Sequence, residues 1–489
     1  MSLSYDVLPQ IKEFDRVSTT VVNAYVGPAL SRYLRRLQQR LIEAGYQGPI
    51  LIIQSHGGVA PIAESARLAA GGVLSGPAGG VAGSRYATQL LASNNMIPFD
   101  MGGTSTDICL IVDGEPALVS GRGIGGHRLA LNSLDIVSLG AGGGSIGRVD
   151  AGGILHVGPQ SAGAVPGPAC YGNGGSSPTV TDANLVLGYL DPAHFLGGAA
   201  RLDAAAAEAA LDRLAAALKV DRIAAAEGVH RVVNTNMAEG IRLVSVRRGV
   251  DPRRFALLSF GGAAGLHVAD VARQLDLTRV VVPRVAPVLS AWGMLATDLR
   301  FEVSRTHIGD TARLDGAGIK RLFAEMEQEG LARLRASFDG PVRVQRSVEM
   351  RYGEQIFEIT VPLDDIDWDA DDPLPQIVER FHNRHEALYT YALREQGAVL
   401  VNARVAVIGV LPGVPQELTL ADRADAAPRG ERRVWLRGWV SVPVFEFDGL
   451  APGQAIAAPA IVESAMTTVL LRPGNRATVT PHGWLDIAV

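Results

Sequence analysis

This sequence predicts an α/β fold built around a glycine-rich loop, followed by a β-rich C-terminal domain. Three observations carry that expectation. Apolar runs and helical periodicities alternate as far as about residue 310. The segment Phe99-Asp100-Met101-Gly102-Gly103-Thr104-Ser105-Thr106-Asp107 sits between two strand-like runs. Beyond 310, short strands broken by Pro and Gly take over, so we place a domain boundary there, giving 1–310 and 311–489.

The elements follow in order. A strand-like piece at 7–14 leads into a helix with Leu30, Leu34, Leu37 and Leu41 on one face and Gly45 at its C-terminal cap. The run 49–53 reads as a buried strand and ends in Gln54-Ser55-His56-Gly57-Gly58. Strands are expected at 97–100, 107–112 and 116–120, with a turn at Asp113-Gly114. Residues 203–218 and 221–248 are the clearest helices. Asp203 is placed to cap the first, and the second buries Ile223, Val229, Val233, Met237, Ile241 and Val244. A buried strand at 255–260 passes through Gly261-Gly262 into a helix at 265–275, and a strand at 280–283 follows. The C-terminal part offers a charged helix at 315–337, strands at 343–350, 355–361 and 399–410, and a helix at 376–391 with Ile377, Phe381 and Leu388 on one face. Residues 412–432 read as a linker or long loop.

Composition narrows the function. The chain has 489 residues, 47% apolar and 19% charged, with 56 Gly and a formal net charge of -5. No basic block occurs, which argues against nucleic acid or an anionic membrane as partner. Two cysteines, Cys109 and Cys170, make neither a disulfide framework nor a metal cage. No signal peptide or 18-residue apolar run is visible, so the expectation is a cytoplasmic chain.

The chemistry lies in the glycine clusters. A Walker loop opens a helix and carries Lys, whereas the Asp100 segment joins two strands. Gly102 and Gly103 would let backbone N–H groups approach phosphate oxygens, with Thr104 and Thr106 adding hydroxyls. Asp100 and Asp107 are candidate catalytic carboxylates and Mg²⁺ ligands, since hard cations take carboxylate oxygen. The alternative for this segment is a tight hairpin with capping hydroxyls. Three further clusters favour the functional reading: Gly140-Ala141-Gly142-Gly143-Gly144-Ser145, residues 158–167, and Phe260-Gly261-Gly262-Ala263-Ala264-Gly265. Asp182 and Asn184, in Thr-Val-Thr-Asp-Ala-Asn, form either an active-site wall or a helix N-cap. His267 faces either a cleft or the core. Cys170 reads as part of a structural loop, and His127, His382 and His385 as surface or packing residues.

Taken together these motifs resemble the hydantoinase A and 5-oxoprolinase family. The match runs through Arg16-Val17-Ser18-Thr19-Thr20, Ser75-Gly76-Pro77-Ala78-Gly79-Gly80, the Asp100 loop, the 140–145 cluster and Pro166-Gly167-Pro168-Ala169-Cys170-Tyr171-Gly172. It continues through Thr179-Val180-Thr181-Asp182-Ala183-Asn184, the Phe260 cluster, Leu289-Ser290-Ala291-Trp292-Gly293, Arg351-Tyr352-Gly353-Glu354-Gln355 and Pro459-Ala460-Ile461-Val462-Glu463. The resemblance implies an actin-like (ribonuclease H-like) ATPase fold with a partial first lobe. It also implies ATP and Mg²⁺ as cofactors, and activation of a cyclic amide such as a hydantoin or 5-oxoproline by phosphorylation of an oxygen. On this reading Asp100, Gly102, Gly103, Thr104 and Thr106 match the second phosphate loop. Gly261, Gly262 and Ala263 match the adenosine-side cluster, Gly142 and Gly143 belong to the nucleotide site, and Asp182 to the catalytic set. Relatives serve ketone carboxylases, and A-type chains act with a hydantoinase B-like partner, so an oligomer is expected. The family's first Asp-x-Gly-Gly-Thr loop has no copy here, so the family's N-terminal segment is expected to be missing.

Overall fold

The computed structural model describes residues 1–412, 419–421 and 423–489. It divides into two compact units, each discontinuous in sequence. One comprises 1–75, 118–133 and 297–414; the other comprises 76–117, 134–296 and 415–489.

The second unit is organised by a ten-stranded mixed sheet. Its main path uses β1 (Met96–Met101), β2 (Thr106–Ile108), β3 (Val137–Leu139), β4 (Ala256–Phe260), β5 (Arg279–Val282), β6 (Ala455–Ala457), β7 (Arg476–Val479) and β8 (Leu485–Ala488). The spatial order is β3-β2-β1-β4-β5-β8-β7-β6. β1, β4 and β5 run parallel and form the middle of the sheet. Every residue of β4 is buried, which explains why Ala-Leu-Leu-Ser-Phe reads as a continuous apolar run.

The helices of this unit are α1 (Ser75–Leu90), α2 (Val180–Val186), α3 (Ala204–Leu218), α4 (Arg222–Val244), α5 (Val268–Gln274) and α6 (Leu289–Met294). Asp203 and Asp221 cap α3 and α4 through hydrogen bonds from the backbone N–H groups of Ala206 and Ala224. Val229, Val233, Met237, Ile241 and Val244 of α4 are buried as the periodicity predicts, while Ile223 is only half-buried. The Gly-Pro-Ala-Gly-Gly stretch is the N-terminal half of α1, a helix the sequence reading did not assign. The residues that lower its helix propensity let another helix approach. A Cβ on Gly79 would lie 2.3 Å from the carbonyl oxygen of Ser290, and one on Gly293 would lie 2.0 Å from that of Gly79. The glycines therefore permit backbone-to-backbone contact of α1 with α6.

The first unit carries a six-stranded sheet in the order 51–53, 59–61, 299–310, 398–409, 342–352, 359–362. The helices Gly316–Arg335 and Leu374–Tyr389 follow the predicted positions, and Asp315 caps the former. Ile377 and Phe381 are buried, but Leu388 is exposed, so the apolar face of that helix is shorter than read.

At the N-terminus the expected strand at 7–14 is absent. Ser4–Val7 is one helical turn, and a long helix runs over Glu13–Glu43. That helix hides its pattern by burying Asp15, Thr19 and Asn23 while exposing Phe14, Val17, Val21 and Tyr25. Of the four leucines expected on its buried face, only Leu34 is fully buried. The strand expected at 49–53 shortens to Leu51–Ile53 and is only partly buried. Within the expected loop 412–432, residues 413–418 and 422 lie outside the described residues, and a strand begins at Gly430. Among the described residues no helix is long and apolar enough to cross a membrane.

A candidate phosphate site in the glycine hairpin

β1 and β2 form an antiparallel hairpin whose register sets Asp100 directly opposite Asp107, with Met101 opposite Thr106. On its other side β1 pairs in parallel with β4, bringing Asp100 beside Phe260 and hence beside Gly261. The turn is closed by the Gly102 N–H donating to the Ser105 carbonyl at 3.0 Å.

The space around the turn is informative. A Cβ built on Gly102 or Gly103 meets nothing within 4 Å, and neither residue has a positive φ. Neither backbone strain nor packing within the chain requires glycine there. The opening is what an approaching phosphate needs. Thr104 is exposed at the tip.

The two carboxylates are held differently. The Ser290 hydroxyl donates to Asp100 Oδ2 at 3.1 Å, and the Ser138 hydroxyl donates to Asp107. Burial pushes the Asp100 carboxyl up to about 6, Ser290 pulls it part of the way back, and the charge of Asp107 adds to the rise. Two carboxylates set opposite each other beside an open, glycine-lined turn fit a divalent cation that also takes phosphate oxygens and water. Among the described residues no group of three or more His, Cys, Asp or Glu side chains is placed to hold a metal by itself.

Gly261 is constrained on every side. It has φ +83°, and a Cβ there would sit 2.4 Å from the Met101 carbonyl oxygen and 2.6 Å from Asp100 Oδ1. Its role in the chain is to let β4 pass close to the Asp100 carboxylate. Gly262 is exposed, and the Ala263 N–H donates to the Met101 carbonyl at 3.1 Å.

Other expected site residues serve the loop rather than face it. Gly142 packs flat on the turn: a Cβ there would lie 2.7 Å from the Thr104 carbonyl carbon. The Gly143 and Gly144 N–H groups donate to the Gly102 and Gly103 carbonyls at 3.0 and 2.6 Å. The 140–145 cluster is thus a backing for the hairpin. Thr106, expected to offer its hydroxyl to phosphate, is fully buried and donates to the Ala141 carbonyl at 2.6 Å.

Asp182, expected in the catalytic set, is fully buried as well. Its carboxylate accepts from the N–H groups of Ala169, Cys170 and Thr179 and from the Thr179 hydroxyl, between 2.8 and 3.2 Å. With Thr179 it forms a capping box at the start of α2, so of its two readings the cap prevails. Cys170 lies under the same carboxylate. Burial and the Asp182 charge push its thiol well up, away from any nucleophilic role.

His267 is a core residue: it is fully buried and bonded to Asn184 and Asn234. In the other unit, Tyr352 of the Arg-Tyr-Gly-Glu-Gln motif is fully buried against Phe381, His382 and His385, and its hydroxyl bonds His382 Nδ1 at 2.7 Å. Ser290 is the residue of this site that sequence reasoning left without a role, although it lay inside a quoted motif.

An open hairpin with opposed carboxylates thus stands on a mixed sheet, backed by glycine loops. The comparisons give the family. The hydantoinase/oxoprolinase family model matches residues 16–303, and the hydantoinase/oxoprolinase C-terminal domain matches 311–488. The chain belongs to this family. It is 39% identical over 496 residues to the caprolactamase subunit alpha of Pseudomonas jessenii, covering 99% of this chain and 71% of that one. The crystal structure of the ATP-dependent caprolactamase from that organism superposes with TM-score 0.86 at 36% identity, over 100% of this chain and 72% of the other. The nucleotide-free structure of acetone carboxylase superposes with TM-score 0.81 at 25% identity, over 99% and 70%.

Proposed function

We propose that this chain binds ATP with Mg²⁺ and uses it to activate the carbonyl of a cyclic amide, of hydantoin or 5-oxoproline type, for ring opening. The observation that carries the reading is the pair Gly102 and Gly103, left open beside the opposed carboxylates Asp100 and Asp107. In this assignment the Gly102–Gly103 backbone and the Thr104 hydroxyl hold phosphate oxygens. Asp100 and Asp107 hold the cation, with Ser290 fixing the orientation of Asp100. Gly261, Gly262 and Ala263 border the adenosine side, and Gly142 and Gly143 keep the loop rigid from behind. ATP supplies the phosphoryl group that makes the amide oxygen a leaving group; the chain's part is to position and to neutralise charge. The same reading assigns an actin-like fold and takes 1–310 as its ATPase domain and 311–489 as a β-rich C-terminal domain.

Resemblance to an acetone carboxylase supports a second reading, a nucleotide-handling subunit of a ketone carboxylase. Stimulation of ATP hydrolysis by a lactam favours the first, and stimulation by a ketone with bicarbonate favours the second. A scaffold without turnover would respond to neither.

The loop assignment is tested by calorimetric titration of Mg-ATP into the protein and its Gly102→Val variant. The open space predicts an unchanged melting temperature with nucleotide binding lost. Equal affinity in both proteins removes the hairpin from the site.

A further inference from the structure

The glycine turn between β1 and β2 is oriented from behind. Two of its carbonyls point into the 140–145 cluster: that of Gly102 accepts from the Gly143 N–H at 3.0 Å, and that of Gly103 from the Gly144 N–H at 2.6 Å. A trans peptide is planar and sets its N–H opposite its C=O. The N–H groups of Gly103 and Thr104 share peptide planes with those two carbonyls, so they are turned away from the cluster. Neither donates to any group among the described residues.

The backing is itself gripped by one residue. The Gly143 carbonyl accepts twice from Thr181, from its N–H at 2.8 Å and from its Oγ at 2.8 Å. That carbonyl and the Gly144 N–H belong to a single peptide plane. Thr181 therefore holds one end of a rigid unit whose other end holds Gly103. A carbonyl that accepts hydrogen bonds also polarises the N–H of its own peptide, which strengthens the bond on the far side. Gly143 has no room to shift: a Cβ there would lie 2.8 Å from Thr181 Oγ.

Helix capping does not account for the hydroxyl. The start of α2 is closed by the capping box of Thr179 and Asp182. The Thr181 N–H, one of the donors a helix start leaves over, already has the Gly143 carbonyl as acceptor. The hydroxyl, on a residue 8% exposed, is a second donor to an acceptor that is already served. α2 is in turn anchored one turn further on, where Asn184 bonds His230 of α4 at 2.9 Å and His267 at the start of α5 at 3.1 Å. The threonine thus stands on a fixed element, as a group that sets the geometry of another must.

We propose that Thr181 is a positioning residue for the phosphate site. Through the Gly143–Gly144 peptide it aims the Gly103 and Thr104 N–H groups at the phosphate oxygens of the nucleotide. The inference rests on the nucleotide reading above and adds to it a residue that touches neither nucleotide nor cation.

Thr181→Val keeps the side-chain shape and the backbone N–H and removes the hydroxyl; Thr181→Ser gives the hydroxyl back. The parent, both variants and Gly102→Val are titrated calorimetrically with Mg-ATP and with Mg-tripolyphosphate, which carries no adenosine, at a temperature where melting curves show all four folded. We expect Thr181→Val to bind both ligands about fivefold more weakly, as the loss of one hydrogen bond implies, and Thr181→Ser to match the parent. If Thr181→Val does not fold, Thr181→Ala takes its place as the variant without hydroxyl. Parental affinity without the hydroxyl, weakening that serine does not restore, or weakening toward Mg-ATP alone overturns the inference and leaves the nucleotide reading standing. Absence of binding to the parent, or equal binding by Gly102→Val, overturns the nucleotide reading and this inference with it.

Discussion

Two aspartates with similar sequence surroundings end in opposite roles. Asp100 lies in Phe-Asp-Met-Gly-Gly-Thr and Asp182 in Thr-Val-Thr-Asp-Ala-Asn, and both qualify as site carboxylates on sequence. Asp100 keeps one oxygen toward Ser290 and lies beside open space. Asp182 has its oxygens filled by four donors from a loop and a helix start. What separates them is the loop at 166–172, which returns its Ala169 and Cys170 N–H groups onto Asp182 from thirteen and twelve residues away. That is a tertiary fact, invisible to spacing. It also yields an expectation. Asp182→Ala leaves the Ala169, Cys170 and Thr179 N–H groups without an acceptor, which should cost about 3 kcal/mol or more in urea unfolding. Any loss of nucleotide binding should follow global stability alone. A variant as stable as the parent would mean that the cap is dispensable. Thr106 teaches the same lesson on a smaller scale: its β register turns the hydroxyl inward to Ala141, so only Thr104 of the pair stays at the open tip.

Between elements, the strongest device is a closed ring of hydrogen bonds joining α2, α4, α5 and Arg472. Arg472 donates to His230 Nε2 at 3.0 Å, His230 Nδ1 to Asn184 Oδ1 at 2.9 Å, and Asn184 to His267 Nε2 at 3.1 Å. His267 Nδ1 then donates to Asn234 at 2.6 Å, Asn234 to Asp270 at 3.4 Å, and Asp270 closes on Arg472 at 2.6 Å. Two of these contacts, Arg472 donating to His230 Nε2 and Asn184 donating to His267 Nε2, require the imidazoles neutral. Burial lowers the pKa of each, with Asp270 opposing at His230 and with Arg472 and the stacked rings reinforcing the shift at His267. Histidines whose folded pKa lies below 6.5 add stability that is complete above that value and is lost as pH falls beneath it. Urea midpoints should therefore hold steady from pH 8 to 7 and drop between pH 6.5 and 5. Each such ring contributes up to about 1.4 kcal/mol per pH unit. His267→Gln should be less stable at pH 8 yet show a shallower fall, and an unchanged slope would refute the ring. Parts of this architecture were legible in the sequence. The cap at Asp203, the buried stripe of α4 and the strand before Gly261 follow from local pattern. The helix Glu13–Glu43 was misread at its start because it buries Asp15, Thr19 and Asn23, reversing the amphipathic rule, and α1 was missed because its glycines serve contact with α6.

For the whole molecule, the question is whether this chain completes a reaction by itself. Among the described residues there is no three-ligand metal group, and both thiols are buried. The sequence contains one Asp-x-Gly-Gly-Thr hairpin, which on the function proposed above offers one set of backbone donors to a transferring phosphoryl group. Preorganised donors account for much of the stabilisation of such charge, and with one set we expect the 489-residue chain to turn over ATP slowly. A similar chain is a subunit alpha of a caprolactamase, which supports pairing with a second chain; on the function proposed above we expect that chain to be of hydantoinase B type. A durable pair of this kind should bury about 1,600 Å² or more and survive dilution. Co-expression with a B-type chain, followed by size-exclusion chromatography with light scattering, gives the test. Co-elution together with lactam-dependent ATP hydrolysis that neither chain shows alone is the expected result. Ring opening of a cyclic amide by this chain alone, with the two chains eluting separately, would overturn the need for a partner. It would also show that the single hairpin and the residues around Asp100 suffice for the chemistry.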